Sequence, residues 1–277
     1  AVAQFIAAPF LGRLSDRYGR RPVLLFSVAG TFTGFLLLGL ADPIGRGLAG
    51  MFSPALANGF VIAILFISRI LDGLTGGNIT VAQAYIADIS DESNRAKSLG
   101  IIGAAFGLGF IIGPATGGLL SQWGFNLPAF TAAGVSLTNL VLIYFLLPES
   151  LTRERREAAQ SRQRPPFTLK ALTEALQRPG VGPLLHIRFF YGLAFAMFQN
   201  VFALFAQAIG LSSQTTGYIL AYVGILSVIT QVGLIGPLTR RFRENVLIIS
   251  GVWVMSLALL AWSFTTSLVP LLIVMLP

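Results

Sequence analysis

Gly12-Arg-Leu-Ser-Asp-Arg-Tyr-Gly-Arg-Arg-Pro22 holds four arginines, one aspartate, two glycines and a proline in eleven residues, between two strongly apolar segments. Glycine permits positive φ or close backbone approach, and Pro22 suits the first turn of a following helix. Asp16 and Arg20 stand four apart, the spacing at which side chains meet along one helical turn. A tight basic turn between two hydrophobic runs reads as a short cytoplasmic loop joining two transmembrane helices. Composition removes the other reading, a solvated turn of a soluble protein. Of 277 residues, 55% are hydrophobic and 11% charged, with a mean hydropathy of +0.77, whereas a soluble domain carries about 25% charged residues.

Outward from this turn, residues 1–11 end one spanning helix. Val23 to Ala41 gives 19 residues without a charge, close to the ~20 needed to cross a bilayer. Residues 42–58 read as a Gly- and Pro-containing loop, and 59–87 as one long apolar helix carrying Arg69 and Asp72. A compact charged loop over 88–97 precedes two more spans, 98–120 and 127–147. The polar segment 148–182 then divides the chain into two helical bundles, 1–147 and 183–277. Spans at 183–209, 214–238 and 245–264 follow, with the start of another at 268–277. In the polar segment, Leu169, Leu172 and Leu176 predict a short amphipathic helix on the inner membrane face. No ten-residue alternation suggests a β-barrel. Gly236-Pro-Leu-Thr-Arg-Arg-Phe-Arg243 echoes the opening turn, and duplicated halves characterise secondary transporters.

Charge sets orientation and excludes several functions. Seventeen of the 19 Lys/Arg fall in or beside four alternate loops, so those loops face the cytoplasm. The net charge of +8 is therefore topology and not a nucleic-acid surface. Zero cysteines and a single histidine, His186, leave no metal site, and no residue pattern calls for a cofactor. Because both ends fall inside apolar segments, the chain reads as a fragment of a longer one.

The opening turn resembles the loop between helices 2 and 3 of the major facilitator superfamily, Gly-x-Leu-x-Asp-Arg-x-Gly-Arg-Arg, at every fixed position. The resemblance extends to the drug:proton antiporter branch that holds the tetracycline-efflux proteins. It implies an all-α membrane protein with the superfamily fold, covering the end of helix 2 to the start of helix 10 of a 12-helix, two-bundle transporter. It implies a cytoplasmic latch made of Gly12, Asp16, Arg17, Gly19, Arg20 and Arg21, with Arg20 bridging Asp16 to Asp88 at the end of helix 4. Gly12 would let helix 2 pack closely against helix 11.

Arg69-Ile-Leu-Asp-Gly-Leu-Thr-Gly-Gly77 places an arginine inside a span, at about 2.5–3.5 kcal/mol on insertion scales. Asp72, three residues on, can partly neutralise it. The resemblance makes Arg69 and Asp72 proton-coupling residues. In helix 5, Gly109, Gly113 and Gly117 recur at four-residue steps and predict a smooth face for close helix packing, and Pro114 predicts a kink. With Gly118, Gly113-Pro114 and Gly117 resemble the helix-5 signature of antiporters. Gln83, Asn200 and Gln231 are candidate cavity-lining amides.

Tetracycline exporters carry an acid in helix 3, a histidine in helix 8 and an acid in helix 9. Gly34, Ser227 and Val254 align there, so a mainly apolar and aromatic cavity is expected in place of tetracycline–metal exchange. Together these readings describe no enzyme. They describe a monomeric, multi-pass transporter of the inner (plasma) membrane, whose partners are the lipid bilayer, protons and a small organic substrate. Multidrug-type export of lipophilic or amphiphilic compounds is the leading expectation, with a nutrient-importing symporter as the alternative.

Overall fold

The computed structural model describes residues 2–91, 94–152 and 169–275, which are helical and contain no strand. The helices are α1 (Val2–Tyr18), α2 (Arg20–Gly39), α3 (Ala41–Phe52), α4 (Ala57–Thr75), α5 (Asn78–Ile89), α6 (Arg95–Leu120) and α7 (Asn126–Leu146). They continue as α8 (Leu169–Gln177), α9 (Gly182–Ala208), α10 (Ser213–Ile229), α11 (Ile235–Arg241), α12 (Glu244–Trp262) and α13 (Leu268–Val274). Six stretches among the described residues are long and apolar enough to cross a membrane: Arg20–Gly39, Pro54–Ile89, Gly100–Trp123, Asn126–Leu146, Gly182–Ala208 and Asn245–Trp262. Residues 153–168 of the 148–182 segment lie outside the described residues, as do the side chains of Leu169 and Leu172.

Four expectations change. The opening turn contracts to one residue, because Gly12–Tyr18 completes α1 and only Gly19 separates it from α2. The expected loop at 42–58 is largely helical: α3 buries Ala41, Gly45 and Ala49, and Pro43 sits in its first turn, where a missing N–H costs nothing. The long helix at 59–87 is interrupted after Thr75. Two consecutive glycines, Gly76 and Gly77, have low helix propensity, and the carbonyls they free are retaken. Gln4 Nε2 donates to the Gly76 oxygen at 2.9 Å, and Ser27 Oγ donates to that of Thr75. Freed backbone groups at membrane depth need such partners. Finally, the 214–238 span contains a π-helical turn, Thr230–Leu234.

Two compact units emerge: residues 1–104 with 120–163, and residues 105–119 with 164–277. In the first, α2 packs on both α4 and α7, and Ala7, Leu11, Val23, Leu24, Val81 and Tyr85 form its core. Small residues let α2 and α4 approach. A Cβ at Gly30 would strike the Thr75 side chain, and one at Gly34 would lie 3.1 Å from the Ser68 oxygen and 3.0 Å from the Asp72 Cβ. The second unit centres on Phe202, Ile219 and Leu271, flanked by Phe198, Phe205 and Trp262.

Candidate functional site

Four chain segments of the first unit meet at Arg20. Its Nη1 lies 2.7 Å from Asp16 Oδ1 and donates to Ser15 Oγ at 2.6 Å, while its Nε donates to Asp88 Oδ2 at 2.9 Å. The Arg20 side chain is 9% exposed and both carboxylates are 17% exposed. Charges this dry are held only when paired. Because guanidinium nitrogens point in fixed, diverging directions, one arginine can serve two acids at once.

Glu149, which follows α7, forms the other half of the cluster. Its Oε1 accepts from the Arg20 backbone N–H at 2.8 Å and from Leu151 at 3.0 Å, and its Oε2 accepts from the Arg21 N–H at 3.1 Å. A carboxylate there satisfies orphan donors of α2 and meets the positive end of its dipole. Gly19 makes this possible. Its φ of 109° and ψ of 158° fall where L-residues rarely go, and a Cβ would occupy the position of the Glu149 carboxylate. Tyr85 donates to the Pro148 oxygen at 3.1 Å, and Arg21 donates to the Tyr144 oxygen. The sequence offered one signal for Glu149, an acid ending a span in a chain whose neighbouring loops are basic. Arg17 lies on the exposed side with its guanidinium 5.4 Å from the Tyr18 ring centre. Nothing lies within 4 Å of a Cβ placed on Gly12.

Arg69 and Asp72 stand on α4 with Nη1 and Oδ2 3.6 Å apart. Arg69 also lies over the Phe35 ring, 5.0 Å from its centre. Asp72 faces α2 at Gly34, three residues before the interruption of α4. Arg69 thus has two partial partners, the pair and the ring face.

In the second unit the glycine motif packs differently from expectation. Gly109, Gly113 and Gly117 leave open space around a notional Cβ. Close contact with α10 runs instead through Ile111, Pro114 and Gly118. The Pro114 carbonyl abuts Gly217, the Gly118 position would bring a Cβ 3.0 Å from Gly217 Cα, and Ile111 occupies the space beside Gly224. Pro114 and Gly118 each follow a motif glycine by one residue, about 100° around the axis. α6 remains a continuous helix through Pro114.

A cavity of about 390 Å³ also lies in this unit, between α9, α10, α12 and α13. Tyr191, Phe195, Phe198 and Trp262 give it aromatic walls, and Ser227 and Val254 both border it. Gln83 and Asn200 do not; Gln83 is exposed, and Asn200 Nδ2 donates to the Ala196 oxygen of its own helix at 2.7 Å. The Gln231 side chain lies outside the described residues, though its backbone is in the π turn.

The family model described as Major Facilitator Superfamily matches residues 1–277. The chain belongs to the Major Facilitator Superfamily. It is 34% identical over 273 residues to the tetracycline resistance protein, class C, of Escherichia coli, covering 96% of this chain and 62% of that one. It is 32% identical over 251 residues to multidrug resistance protein 2 of Bacillus subtilis (strain 168), covering 88% and 57%. The chain thus spans about three-fifths of the length of these relatives. The crystal structure of the human organic anion transporter MFSD10 (TETRAN) superposes with a TM-score of 0.68 at 23% identity, covering 99% of this chain and 63% of that one, which establishes the superfamily fold.

Gly34, Ser227 and Val254, the positions expected from the resemblance to align with ionisable residues of tetracycline exporters, are uncharged. Gly34 has no room for a carboxylate, because Asp72 and the Ser68 carbonyl already occupy the space. Ser227 and Val254 line the cavity and leave it without charge.

Proposed function

We propose that the protein is a proton-coupled antiporter that exports small lipophilic or amphiphilic organic compounds by alternating access. The observation that carries this reading is the cluster at Arg20. It ties the end of α1, the start of α2, the end of α5 and the segment after α7 into one buried ionic knot. Separating one partner of a buried pair costs roughly 3–5 kcal/mol. Driving a two-state equilibrium from 1:99 to 99:1 takes about 5.5 kcal/mol. A knot of this strength therefore suits a latch that holds one state yet yields to a ligand or proton with differential affinity for the other. Asp72 is the proton-binding group in this reading, and Arg69 its counter-charge. Protonation of Asp72 would release Arg69 from the 3.6 Å pair and leave it against Phe35. The tetracycline and multidrug resistance proteins among its relatives support export as the direction.

Everted membrane vesicles test the proposal. A lipophilic fluorescent dye should accumulate when the vesicle lumen is acid and escape when a protonophore collapses the gradient. Asp72→Asn should abolish the gradient dependence, and Asp16→Asn should slow transport without reducing insertion. Gradient-driven accumulation only in right-side-out vesicles would identify an importing symporter. Dye movement indifferent to the protonophore would refute proton coupling.

A further inference from the structure

The cavity of the second unit has a specific chemistry. On α9, Tyr191, Phe195 and Phe198 follow at steps of four and three, so they share one face. Tyr191 and Phe195 stack with ring centres 6.1 Å apart and planes 5° apart, and Phe195 and Phe198 stack at 6.5 Å and 29°. Trp262 of α12 stands edge-on to Phe198 at 5.4 Å and 73°. Across the cavity, α10 contributes Ser227 and the π-helical turn that follows it contributes Thr230, both hydroxyl-bearing. Among the described residues, the lining includes no Asp, Glu, Lys, Arg or His.

We propose that this cavity binds an uncharged, planar aromatic compound of two to three rings. Its volume of about 390 Å³ falls in the ~300–1,000 Å³ range of ligand pockets. It is roughly two and a half times a 150 Å³ cavity that accepts benzene. A wall offering both the stacked rings of Tyr191 and Phe195 and the edge-on ring of Trp262 favours a flat aromatic partner, because aromatic pairs gain from offset-stacked and edge-to-face contact. A formal charge on the ligand would be desolvated with no counter-charge in the wall, so neutral compounds are selected. Ser227 and Thr230 supply donors for one polar substituent, which fixes orientation. That this compound is the exported substrate rests on the antiporter reading; that the cavity binds it does not.

The full chain, purified and reconstituted in lipid, is titrated with N-phenyl-1-naphthylamine, an uncharged fluorescent amine, and separately with a trimethylammonium derivative of the same ring system. Energy transfer from tryptophan reports binding. Gly251 borders the cavity, and a Cβ there meets nothing within 4 Å, so Gly251→Phe should fill the space without disturbing the backbone. The expected result is saturable transfer in the unmodified protein, with Kd at least tenfold higher in Gly251→Phe. Val254→Asp should weaken the neutral probe and favour the cationic one. Transfer that rises with probe concentration without saturating, as partitioning into the lipid alone would give, would overturn the proposal, as would equal affinity in a folded Gly251→Phe protein. If that variant does not fold, an unaltered preference in Val254→Asp overturns it equally. One-for-one displacement by short-chain phosphatidylcholine would make a lipid chain the occupant and also refute it. Failure of proton-driven export in vesicles would leave the binding result standing. Undiminished export by a Gly251→Phe protein that no longer binds the probe would break only the link between cavity and transport.

Discussion

Gly19→Ala should be far more damaging than a methyl group at a helix boundary suggests. The added Cβ would fall on the Glu149 carboxylate, and the residue must hold φ 109° and ψ 158°, a region essentially reserved for glycine. Forcing alanine there costs about 1–3 kcal/mol. Relief of the overlap requires the carboxylate to leave at least one of the Arg20 and Arg21 N–H groups, and a hydrogen bond to a charged group is worth about 1.5–3 kcal/mol. The sum is about 2.5–6 kcal/mol. A double-mutant cycle separates the two parts. Glu149→Ala alone loses the cap; Gly19→Ala added to it loses only the backbone part, since no carboxylate remains to strike. The coupling energy should therefore be about 1.5–3 kcal/mol, read from chemical denaturation of the protein in detergent. Dye export in vesicles should fall in parallel. Additivity within about 0.5 kcal/mol would show that Gly19 and Glu149 act independently, and the reasoning would be wrong.

Arg20→Lys keeps the charge but replaces three diverging contacts with one ammonium, so export should drop about tenfold or more while expression and insertion persist; an unaltered rate would remove the latch. Asp72→Asn should retain dye binding but lose dependence of transport on the proton gradient, checked with a protonophore. Gly34→Ala brings a Cβ to 3.0 Å from Asp72 and 3.1 Å from the Ser68 carbonyl, and overpacking of this kind should lower stability by about 1–3 kcal/mol, measured by thermal unfolding. Gly34→Asp should be worse still and should not confer tetracycline export, although the family resemblance aligns an acid of tetracycline exporters with this position.

The spans were legible because an uncharged run of about 20 residues has few soluble uses. Residues 42–58 misled because Gly45 sits close against Val61. There glycine serves helix contact, yet in sequence it looks the same as a turn glycine. The interruption at Gly76–Gly77 was hidden for the converse reason, since glycines are common in membrane helices. In the Arg20 cluster, Asp16 and Arg20 were readable from spacing, and Asp88 from the family pattern. Glu149 acts on Arg20 across 129 positions, a relation that no local pattern encodes. The helix-5 stripe misled through register: periodicity finds a small-residue face, and the neighbouring helix decides whether that face or the next is used.

The interruption of α4 also settles a question of phase. In an unbroken helix, Asp72 and Asp88 would be ~24 Å apart and turned ~160° from one another. One would then point toward α2 and the other away from it. In the folded chain both address α2, Asp72 at Gly34 and Asp88 at Arg20. Two glycines therefore act as a rotary joint, letting a single apolar run present both of its acids to the same neighbour.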